Sequence, residues 1–428
     1  MSDFETIIVG GGLAGLTTAY ILAKEGVETL LIERGNFAGA KNVSGGRIYS
    51  HSLEKVIPGF AGEAPLERRI TREKISLLTA DSAVTADYFS PGPGAPGRDS
   101  YSVLRVGFDQ WLAGKAEEAG AQIVTGIKVD DLLLRDGNVR GVAAGDEMTA
   151  DVTVLADGVN ALLAKKLGLR AKLSPAQVAV GVKEVIELPA AVIEDRFQCG
   201  GEEGTAWLFA GQPSGGKVGG AFLYTNKESL SLGVVCTLEG LAAGVTTLPQ
   251  MLEDFKGHPA VAPLLAGGKT VEYSAHLVPE GGVDMVPRLF TGGALVVGDA
   301  AGFCLNLGYT VRGMDLAVGS GDCAARAILQ ARRAGDYGAG TLGASYQNAL
   351  NDSFIMKDMK LYRKFPHFME KTPRIFSGYP EMASDLMARL FVVDGEPSRP
   401  LYKKVASSLK GVGALNLMLD GMKGVRSL

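Results

Sequence analysis

The stretch that decides the fold is TIIVGGGLAGLTTAYILAKEGVETLLIER, residues 6–34. A short apolar run at residues 6–9 precedes three closely spaced glycines, and apolar side chains then recur at helical spacing as far as Ala23. Gly26 predicts the end of that helix, and the apolar residues 27–32 predict a second buried strand. The sequence therefore predicts one β-α-β unit over this stretch.

The three glycines have the spacing of a dinucleotide-binding turn. In Gly10-x-Gly12-x-x-Gly15 the first glycine allows a tight turn, the second lets a pyrophosphate approach the backbone, and the third permits close helix–strand packing. The pyrophosphate would meet the positive end of the helix and its free N–H groups. Glu33 ends the second strand, where a carboxylate accepts hydrogen bonds from an adenosine ribose. Together these features predict a bound dinucleotide.

A second segment favours FAD over NAD as that dinucleotide. The stretch TGGALVVGDAAGF, residues 291–303, predicts a buried strand that ends at Gly298 and Asp299. Flavoproteins of this architecture use such an aspartate to hold the ribityl chain of FAD, and a simple NAD dehydrogenase does not need it. The sequence contains no second strand–GxGxxG–helix unit, so we expect no separate nicotinamide domain.

The next segment predicts a helix that begins within residues 310–314. A helix N-terminus at the pyrimidine end of a flavin stabilises negative charge on the reduced ring, and Gly308 and Gly313 allow the backbone to approach it. An ordinary packing helix is the alternative. No Ser/His/Asp set, HExxH motif or carboxylate pair accompanies these motifs, and the four histidines are isolated. We therefore predict no catalytic side chain and no metal site, with the chemistry belonging to the cofactor.

Composition limits the class of protein and its partners. The chain has 428 residues, 46% of them hydrophobic and 21% charged, which indicates a globular protein of two or three domains. A net charge of −4 argues against nucleic acid as a partner. Four scattered cysteines without a C-x-x-C motif predict reduced, buried thiols in a cytoplasmic protein. We identify no signal peptide and no apolar run of the roughly 18 residues that a membrane span needs.

The rest of the chain alternates in character. Residues 101–126 predict a strand, a helix and a strand, and residues 129–158 predict a hairpin with an Asp-Gly turn that leads into an apolar strand. Residues 178–284 have the short strands and turns of an antiparallel sheet, and the chain is predicted to be mostly helical after about residue 314. The predicted domains are an FAD-binding domain (1–75, 101–175 and 285–345), a β-sheet domain (76–100 and 176–284) and a helical C-terminal region (346–428).

Two basic and aromatic segments lie in that C-terminal region. Residues 355–376 carry six basic and two acidic side chains with three interleaved phenylalanines, and residues 402–428 are similarly amphipathic. They could dock an acidic partner, contact anionic lipid, or form a solvated face over an aromatic core.

Three stretches resemble the electron transfer flavoprotein:quinone oxidoreductase family, and closely its FixC branch. They are GAKNVSGGRIY (39–49), FLYTNKESLSLGVV (222–235) and NLGYTVRGMDLAVGSGD (306–322). The resemblance implies an α/β fold (α+β overall), in which a glutathione-reductase-type FAD-binding Rossmann domain is interrupted by an antiparallel β-sheet domain on the quinone side. It implies that electrons arrive from a two-subunit electron transfer flavoprotein and leave to quinone.

The sequence departs from the longer family members in one respect. Those members carry a C-terminal [4Fe–4S] domain with four cysteine ligands, whereas here no cysteine follows Cys323. The FixC branch instead uses a separate small ferredoxin-like subunit, and we expect one here. The resemblance also implies a cytoplasmic location on the inner face of the membrane. An apolar route for quinone could use Trp207, Leu208, Phe209, Phe222, Leu223 and Tyr224, which are otherwise ordinary core residues.

The resemblance assigns the loop after Glu33 to the FAD. Ser44, Gly45 and Gly46 would lie against the ribityl chain and ring beside Arg47, Arg105 would contact the FAD edge, and residues 156–158 would pack under the adenine half. A Gly-rich loop suits a flavin because side chains would block the ring face. The full set of predicted cofactor contacts is Gly10, Gly12, Leu13, Ala14, Gly15, Glu33, Arg34, Lys41, Ser44, Gly45, Gly46, Arg47, Arg105, Val129, Ala156, Asp157, Gly158, Gly298, Asp299, Gly308, Val311, Arg312, Gly313 and Met314.

Three other functions remain open from the sequence. A flavin monooxygenase would share the fingerprint, the Asp157-Gly158 loop and Asp299. A geranylgeranyl-reductase-like enzyme is suggested by TAWLFAG (residues 205–211), although the proline of that family's motif is missing. A non-enzymatic FAD-holding scaffold subunit is the third.

Overall fold

The computed structural model of the protein describes residues 2–42, 45–92 and 94–428. The strands are β1 (Phe4–Val9), β2 (Thr29–Ile32), β3 (Gly46–Tyr49), β4 (Leu66–Leu78), β5 (Ala83–Phe89), β6 (Ser100–Val103), β7 (Gln122–Val124), β8 (Asp131–Arg135), β9 (Asn138–Ala144), β10 (Asp146–Leu155), β11 (Val178–Glu187), β12 (Glu203–Gly211), β13 (Gly219–Thr225), β14 (Ser229–Thr237), β15 (Lys269–Pro279), β16 (Phe290–Thr291), β17 (Ala294–Val296), β18 (Leu305–Asn306) and β19 (Val311–Arg312).

The α-helices alternate with these strands and then replace them towards the C-terminus. They are α1 (Leu13–Lys24), α2 (His51–Val56), α3 (Arg105–Glu118), α4 (Leu162–Lys166), α5 (Ala190–Phe197), α6 (Leu238–Ala242), α7 (Leu248–Gly257), α8 (Ala262–Leu265), α9 (Met314–Ala334), α10 (Ala344–Asp352), α11 (Phe354–Leu361), α12 (Phe365–Lys371), α13 (Gly378–Phe391), α14 (Leu401–Ser408) and α15 (Ala414–Val425). None of the helices in the described part of the chain is both long and apolar enough to cross a bilayer.

The first sheet is built around the β1-α1-β2 unit. Its strand order is β16-β17-β10-β1-β2-β7, and β1 is parallel to both β2 and β10. β17 extends the parallel part beside β10, as the sequence predicts for the strand before Asp299. The β8–β9 hairpin turns at Asp136 and Gly137, which have φ values of 52° and 75°. A two-residue turn of positive φ is the form that an Asp-Gly pair favours, so the predicted hairpin is confirmed.

The second sheet has the order β15-β11-β14-β13-β12-β4-β6-β3, with β5 beside β4. The pairing is antiparallel except between β4 and β12. Residues 178–284 supply most of this sheet, as predicted. The sheet also draws on residues 46–103, and β4 runs across the predicted domain boundary at residue 75. Pairing between segments so distant in the chain has no local signature, and the division into domains stays a prediction.

Helix α9 holds the N-terminal unit from one side. It packs on α1, where a Cβ atom at Gly321 would lie 2.6 Å from the carbonyl oxygen of Ala14. The helix predicted within residues 310–314 begins at Met314, because Val311 and Arg312 pair with Leu305 and Asn306 as β19 and β18. The start therefore falls at the last residue of the predicted range. The other predicted helix, after the strand at residue 101, begins at Arg105.

The C-terminal helices pack on the body through a small apolar cluster. The cluster joins Leu305 and Leu307 to Phe365, Met369 and Phe376. Beyond it, large apolar side chains are exposed on α13 to α15 and on the segment that joins α13 to α14. The most exposed are Phe391, Val392, Val393, Leu401, Tyr402, Leu415 and Val425. The region is helical, as predicted, and the described part of the chain leaves these apolar side chains exposed.

Candidate functional site

A cavity of about 1030 Å³ receives residues from both sheets and from the C-terminal helices. The carboxyl ends of β1, β2, β10 and β17 supply one part of its wall, which is where ligands bind in open α/β sheets. Strands β12 and β13 and helix α12 supply another part, which includes Leu208, Phe222 and Phe365. The cavity therefore joins a polar part to an apolar part.

The glycines of the turn after β1 meet different surroundings. Gly10 has φ +114°, and a Cβ atom there would lie 2.2 Å from the carbonyl oxygen of Ala156. A Cβ atom at Gly15 would lie 2.1 Å from the carbonyl oxygen of Gly10. At Gly12 no described atom lies within 4 Å of that position, and Gly12 lines the cavity. The turn thus keeps an open cradle at the N-terminus of α1, where free N–H groups favour an anion.

Glu33 is held at the end of β2 by two backbone hydrogen bonds. One carboxylate oxygen accepts from the N–H of Gly11 at 2.7 Å, and the other accepts from the N–H of Gly35 at 2.6 Å. Glu33 is only 9% exposed and lines the cavity. Because each carboxylate oxygen has a second lone pair, Glu33 can still accept hydrogen bonds from a ligand.

Charged groups surround Asp299 at the end of β17. Burial raises the pKa of Asp299, while the cations Arg105 and Arg170 act in the opposite direction. Arg105 donates to both oxygens of the fully buried Asp109, at 2.8 and 2.9 Å. Arg170 donates from Nη1 to the carbonyl oxygen of Ala300 at 2.8 Å, whereas its Nε and Nη2 have no hydrogen-bond partner among the described residues.

Asp157 carries a second unpartnered polar atom. Its Oδ2 accepts from the N–H of Leu163 at 3.1 Å, and its Oδ1 has no partner among the described residues. Burial raises the pKa of this carboxyl group. Unpartnered buried polar atoms are rare in native proteins and indicate a missing ligand or water. Together with the Gly12 cradle, they fit a polar, anionic molecule such as a dinucleotide.

Two cations stand on the second-sheet side of the wall. Lys183 on β11 donates to the carbonyl oxygen of Gly45 at 2.8 Å, and burial lowers its pKa to about 8. Arg47 on β3 donates to both Glu73 oxygens and to Ser100. Arg47 and Arg105 are each paired with a carboxylate, whereas the hydrogen bond of Lys183 goes to a neutral carbonyl oxygen.

The structure brings most of the predicted cofactor contacts together on this one wall. They are Gly10, Gly12, Leu13, Ala14, Glu33, Arg34, Lys41, Gly45, Gly46, Arg47, Arg105, Val129, Ala156, Asp157, Gly158, Gly298, Asp299, Gly308, Val311, Gly313 and Met314. Gly15 lies behind the turn, against Gly10, and Arg312 pairs with Asp315 and Asp358 instead. Ser44 lies outside the described residues. The role of each residue as a cofactor contact stays a prediction.

Sequence reasoning missed several residues of the wall. Lys183 had a signal, since it is a lone cation in the apolar strand VAVGVKEVIEL, residues 178–188. Glu280, Cys304 and Asn306 had no local signal, because their approach depends on the second sheet meeting the β18–β19 hairpin.

The cavity wall also includes a histidine and four of the six apolar residues suggested for a quinone route. His276, one of the four isolated histidines, lines the cavity, and burial lowers its pKa. Of the apolar residues suggested for a quinone route, four line the cavity, namely Leu208, Phe209, Phe222 and Tyr224. Leu223 is instead fully buried in the core of the second sheet, and Trp207 packs against that core.

Known protein families match both ends of this chain, and full-length relatives match all of it. A model of the FAD dependent oxidoreductase family matches residues 5–92, and a model of the ETF-QO/FixC family C-terminal domain matches residues 365–428. Protein FixC of Escherichia coli (strain K12) is 55% identical over 426 residues, which cover 99% of each chain. The probable electron transfer flavoprotein-quinone oxidoreductase YdiS of the same strain is 52% identical over 431 residues, which cover both chains fully.

Solved structures share the fold at much lower identity. A geranylgeranyl bacteriochlorophyll reductase-like protein from Thermoplasma acidophilum matches with a TM-score of 0.72 and 18% identity, over 98% of this chain and 99% of the other. The halogenase PltM, in complex with phloroglucinol and FAD, matches with a TM-score of 0.63 and 15% identity, over 98% and 86%. These matches confirm the predicted fold class.

Family membership rests on the full-length relatives and on the C-terminal match. Identity above one half, spread along 99% of both chains, is far beyond what a shared fold alone produces. The N-terminal match adds the cofactor class to this relationship. The chain belongs to the FixC branch of the electron transfer flavoprotein:quinone oxidoreductase family and is an FAD-dependent oxidoreductase.

Proposed function

We propose that this protein passes electrons from a reduced electron transfer flavoprotein to a quinone. The observation that carries the proposal is the continuity of the cavity, which joins the turn after β1 to an apolar wall formed by the second sheet and α12. A cofactor held at the polar part and an apolar acceptor held at the other could meet there. The relative YdiS is named as a probable enzyme of this kind.

We assign the holding of FAD to residues of the polar wall. The open N-terminus of α1 at Gly12 would take the pyrophosphate, Glu33 the adenosine ribose, and Asp299 the ribityl chain. The unpartnered Oδ1 of Asp157, which lines the cavity, is available to a polar group of the cofactor or its bound water. When bound, FAD would supply the ability to accept and release electrons singly or in pairs.

The remaining contribution of the chain is electrostatic and steric. Lys183, whose hydrogen bond goes to a neutral carbonyl oxygen, is a cation on the cavity wall, where it stabilises negative charge more than it would in water. Leu208, Phe222 and Phe365 exclude water from the apolar wall and suit an apolar ring. No side chain is required to form a covalent bond.

The route of electrons between subunits is part of the proposal. Because no cysteine follows Cys323, a [4Fe–4S] cluster of the kind found in longer family members would belong to a separate ferredoxin-like subunit. We propose that the C-terminal region faces these partners or the cytoplasmic surface of the membrane. Its exposed Phe391, Val393 and Val425, interspersed with basic side chains, support such a contact.

The test uses the complex purified with its native partners. We expect bound FAD, iron that leaves with the small subunit, anaerobic reduction of the flavin by the reduced electron transfer flavoprotein, and reoxidation by a quinone analogue. Bleaching of the flavin at catalytic rates by NAD(P)H alone would support a monooxygenase instead. Iron retained by the isolated chain would overturn the two-subunit arrangement, and reduction of a prenyl diphosphate would indicate a prenyl reductase.

A further inference from the structure

A carboxyl group stands on the wall where the second sheet meets the β18–β19 hairpin. Glu280 directly follows β15 and lines the cavity together with Cys304 and Asn306. The side-chain amide of Asn306 donates to Oε2 of Glu280 at 3.2 Å. The backbone N–H of Glu280 donates to the carbonyl oxygen of Gln177 at 2.8 Å, which fixes the position of the residue.

The surroundings of Glu280 are mostly apolar. Pro279 precedes it, and α12 presents Phe365 and Met369 to the same cavity. The titratable group beside it is the thiol of Cys304, whose pKa is raised well above its usual value, mainly by burial. That thiol remains protonated and uncharged at physiological pH, so it places no charge beside Glu280.

This environment changes the proton affinity of the carboxyl group. Burial raises the pKa of Glu280 to about 7, and the hydrogen bond from Asn306 opposes the rise. A raised pKa means that the carboxyl group keeps its proton below about pH 7 and releases it above. An ordinary glutamate, with a pKa of about 4.3, would already be ionised there.

We propose that Glu280 donates a proton to a carbonyl oxygen of the quinone as the quinone is reduced, an inference that rests on the proposed function. Conversion of a quinone to its hydroquinone consumes two electrons and two protons. The reduced FAD supplies both electrons. The O–H bond of Glu280 breaks as a new O–H bond forms on one quinone oxygen, and the second oxygen takes its proton from solvent.

Asn306 acts as the positioning residue in this step. Its N–H donates to the oxygen atom that carries negative charge once the proton has left. A donor to the ionised form makes the transfer easier, and solvent then restores the proton. The other titratable groups of the wall are less suited. Lys183 is engaged with the carbonyl oxygen of Gly45, and His276 stands beside the positive charges of Lys183 and Arg105.

The decisive variant is Glu280→Gln, which keeps the size of the side chain and an oxygen that can accept from Asn306. We expect reoxidation of the reduced enzyme by a quinone analogue to slow by about 10²- to 10⁴-fold. Reduction of the flavin by its donor should be unchanged, as should reoxidation by ferricenium, which takes electrons without protons. Glu187→Gln is the matched control, because Glu187 is an exposed carboxylate at the end of β11 in the same sheet.

The pH profile and an infrared titration provide independent readouts. For the wild type, the quinone step should slow about tenfold per pH unit above pH 7, as the donor loses its proton, whereas the slow step of Glu280→Gln should lack this decline. Infrared difference spectra of the protein alone should show a protonated carboxyl group titrating near pH 7 that Glu280→Gln lacks.

Different results would overturn the role of Glu280 and the reduction of quinone by this protein. A variant that reduces quinone at the wild-type rate with the same pH profile would overturn the role of Glu280 and leave the proposed function standing. The absence of a carboxyl group titrating near neutral pH would also overturn that role. Wild-type protein that reduces ferricenium but no quinone would overturn the proposed function, and the proton-donor role with it.

Discussion

At the scale of single residues, the three glycines of the fingerprint perform separate tasks. Gly10 and Gly15 are required by the protein itself, because backbone atoms occupy the space that a side chain would need. Gly12 is required by nothing in the described chain, since the space beside it is open to the cavity. Two glycines of the motif are therefore needed for the chain to fold, and the third is needed to leave room for a ligand.

A pair of alanine substitutions separates these tasks. Gly15→Ala should destabilise the protein by about 1–3 kcal/mol, because the new methyl group meets the carbonyl oxygen of Gly10. Gly12→Ala should leave the melting temperature of the FAD-free protein nearly unchanged and raise the dissociation constant for FAD about tenfold or more, a cost of ~1.4 kcal/mol. Thermal unfolding followed by circular dichroism and titration with FAD measure both effects. Equal loss of stability in the two variants would contradict the separation.

At the scale of secondary-structure elements, the sequence predicted what local chemistry determines. The β1-α1-β2 unit was predictable because its periodicity and glycine spacing lie within residues 6–34. The β8–β9 hairpin was predictable because an Asp-Gly pair adopts the required backbone angles. The same reasoning located β17 and therefore Asp299.

Elements set by distant partners were less accessible to sequence reasoning. The membership of β3 to β6 in the second sheet depends on pairing between β4 and β12, more than a hundred residues apart. The exact first residue of α9 depends on the β18–β19 pair, which occupies part of the range in which the helix was predicted to begin. For the same reason Glu280 was missed, since its side chain becomes a wall residue only when separate elements meet.

Helix α9 offers a test of how closely two elements approach. Gly321 faces α1, where a Cβ atom would lie 2.6 Å from the carbonyl oxygen of Ala14, whereas a Cβ atom at Gly421 on α15 would have no described atom within 4 Å. Gly321→Ala should destabilise the protein by about 1–3 kcal/mol by forcing the helices apart. Gly421→Ala should stabilise its exposed helix by about 0.5–1 kcal/mol. Urea unfolding measures both, and the same sign for the two variants would count against this account of the packing.

At the scale of the whole molecule, the C-terminal helices complete the cavity and expose several large apolar side chains. Phe365 and Phe376 line the cavity, while Phe391 and Val425 are largely exposed. Helix α15 packs on Phe368 at Gly424 and is also attached by polar contacts. Asp420 is nearly buried and accepts from Arg374 at 2.8 and 3.0 Å and from the hydroxyl of Tyr379 at 2.6 Å.

This attachment makes the C-terminal region sensitive to acid. The hydrogen bonds from Arg374 lower the pKa of Asp420, and that from Tyr379 adds to the effect. A lowered pKa in the folded state contributes stability above the value of about 3.9 for an unfolded aspartate, and the contribution is lost as pH falls through the folded value. We therefore expect α15 to detach more readily below about pH 4, before the parallel strands of the first sheet open.

The variant Asp420→Asn should reproduce this loosening at neutral pH. Its amide cannot accept charge-assisted bonds at both positions, so hydrogen–deuterium exchange in α15 should quicken about fivefold or more at pH 7 and respond less to acid. Asp385→Asn is the matched control, because Asp385 has a pKa lowered by hydrogen bonds from Arg389 of α13 and Ser408, outside α15. Exchange in β1 and β10 should be the same in all three proteins, since Asp420 contacts neither strand. Unchanged exchange in α15 of Asp420→Asn would contradict this prediction and show that the apolar cluster around Phe365 holds the region by itself. Faster exchange throughout the protein would show instead that the C-terminal helices and the first sheet unfold together.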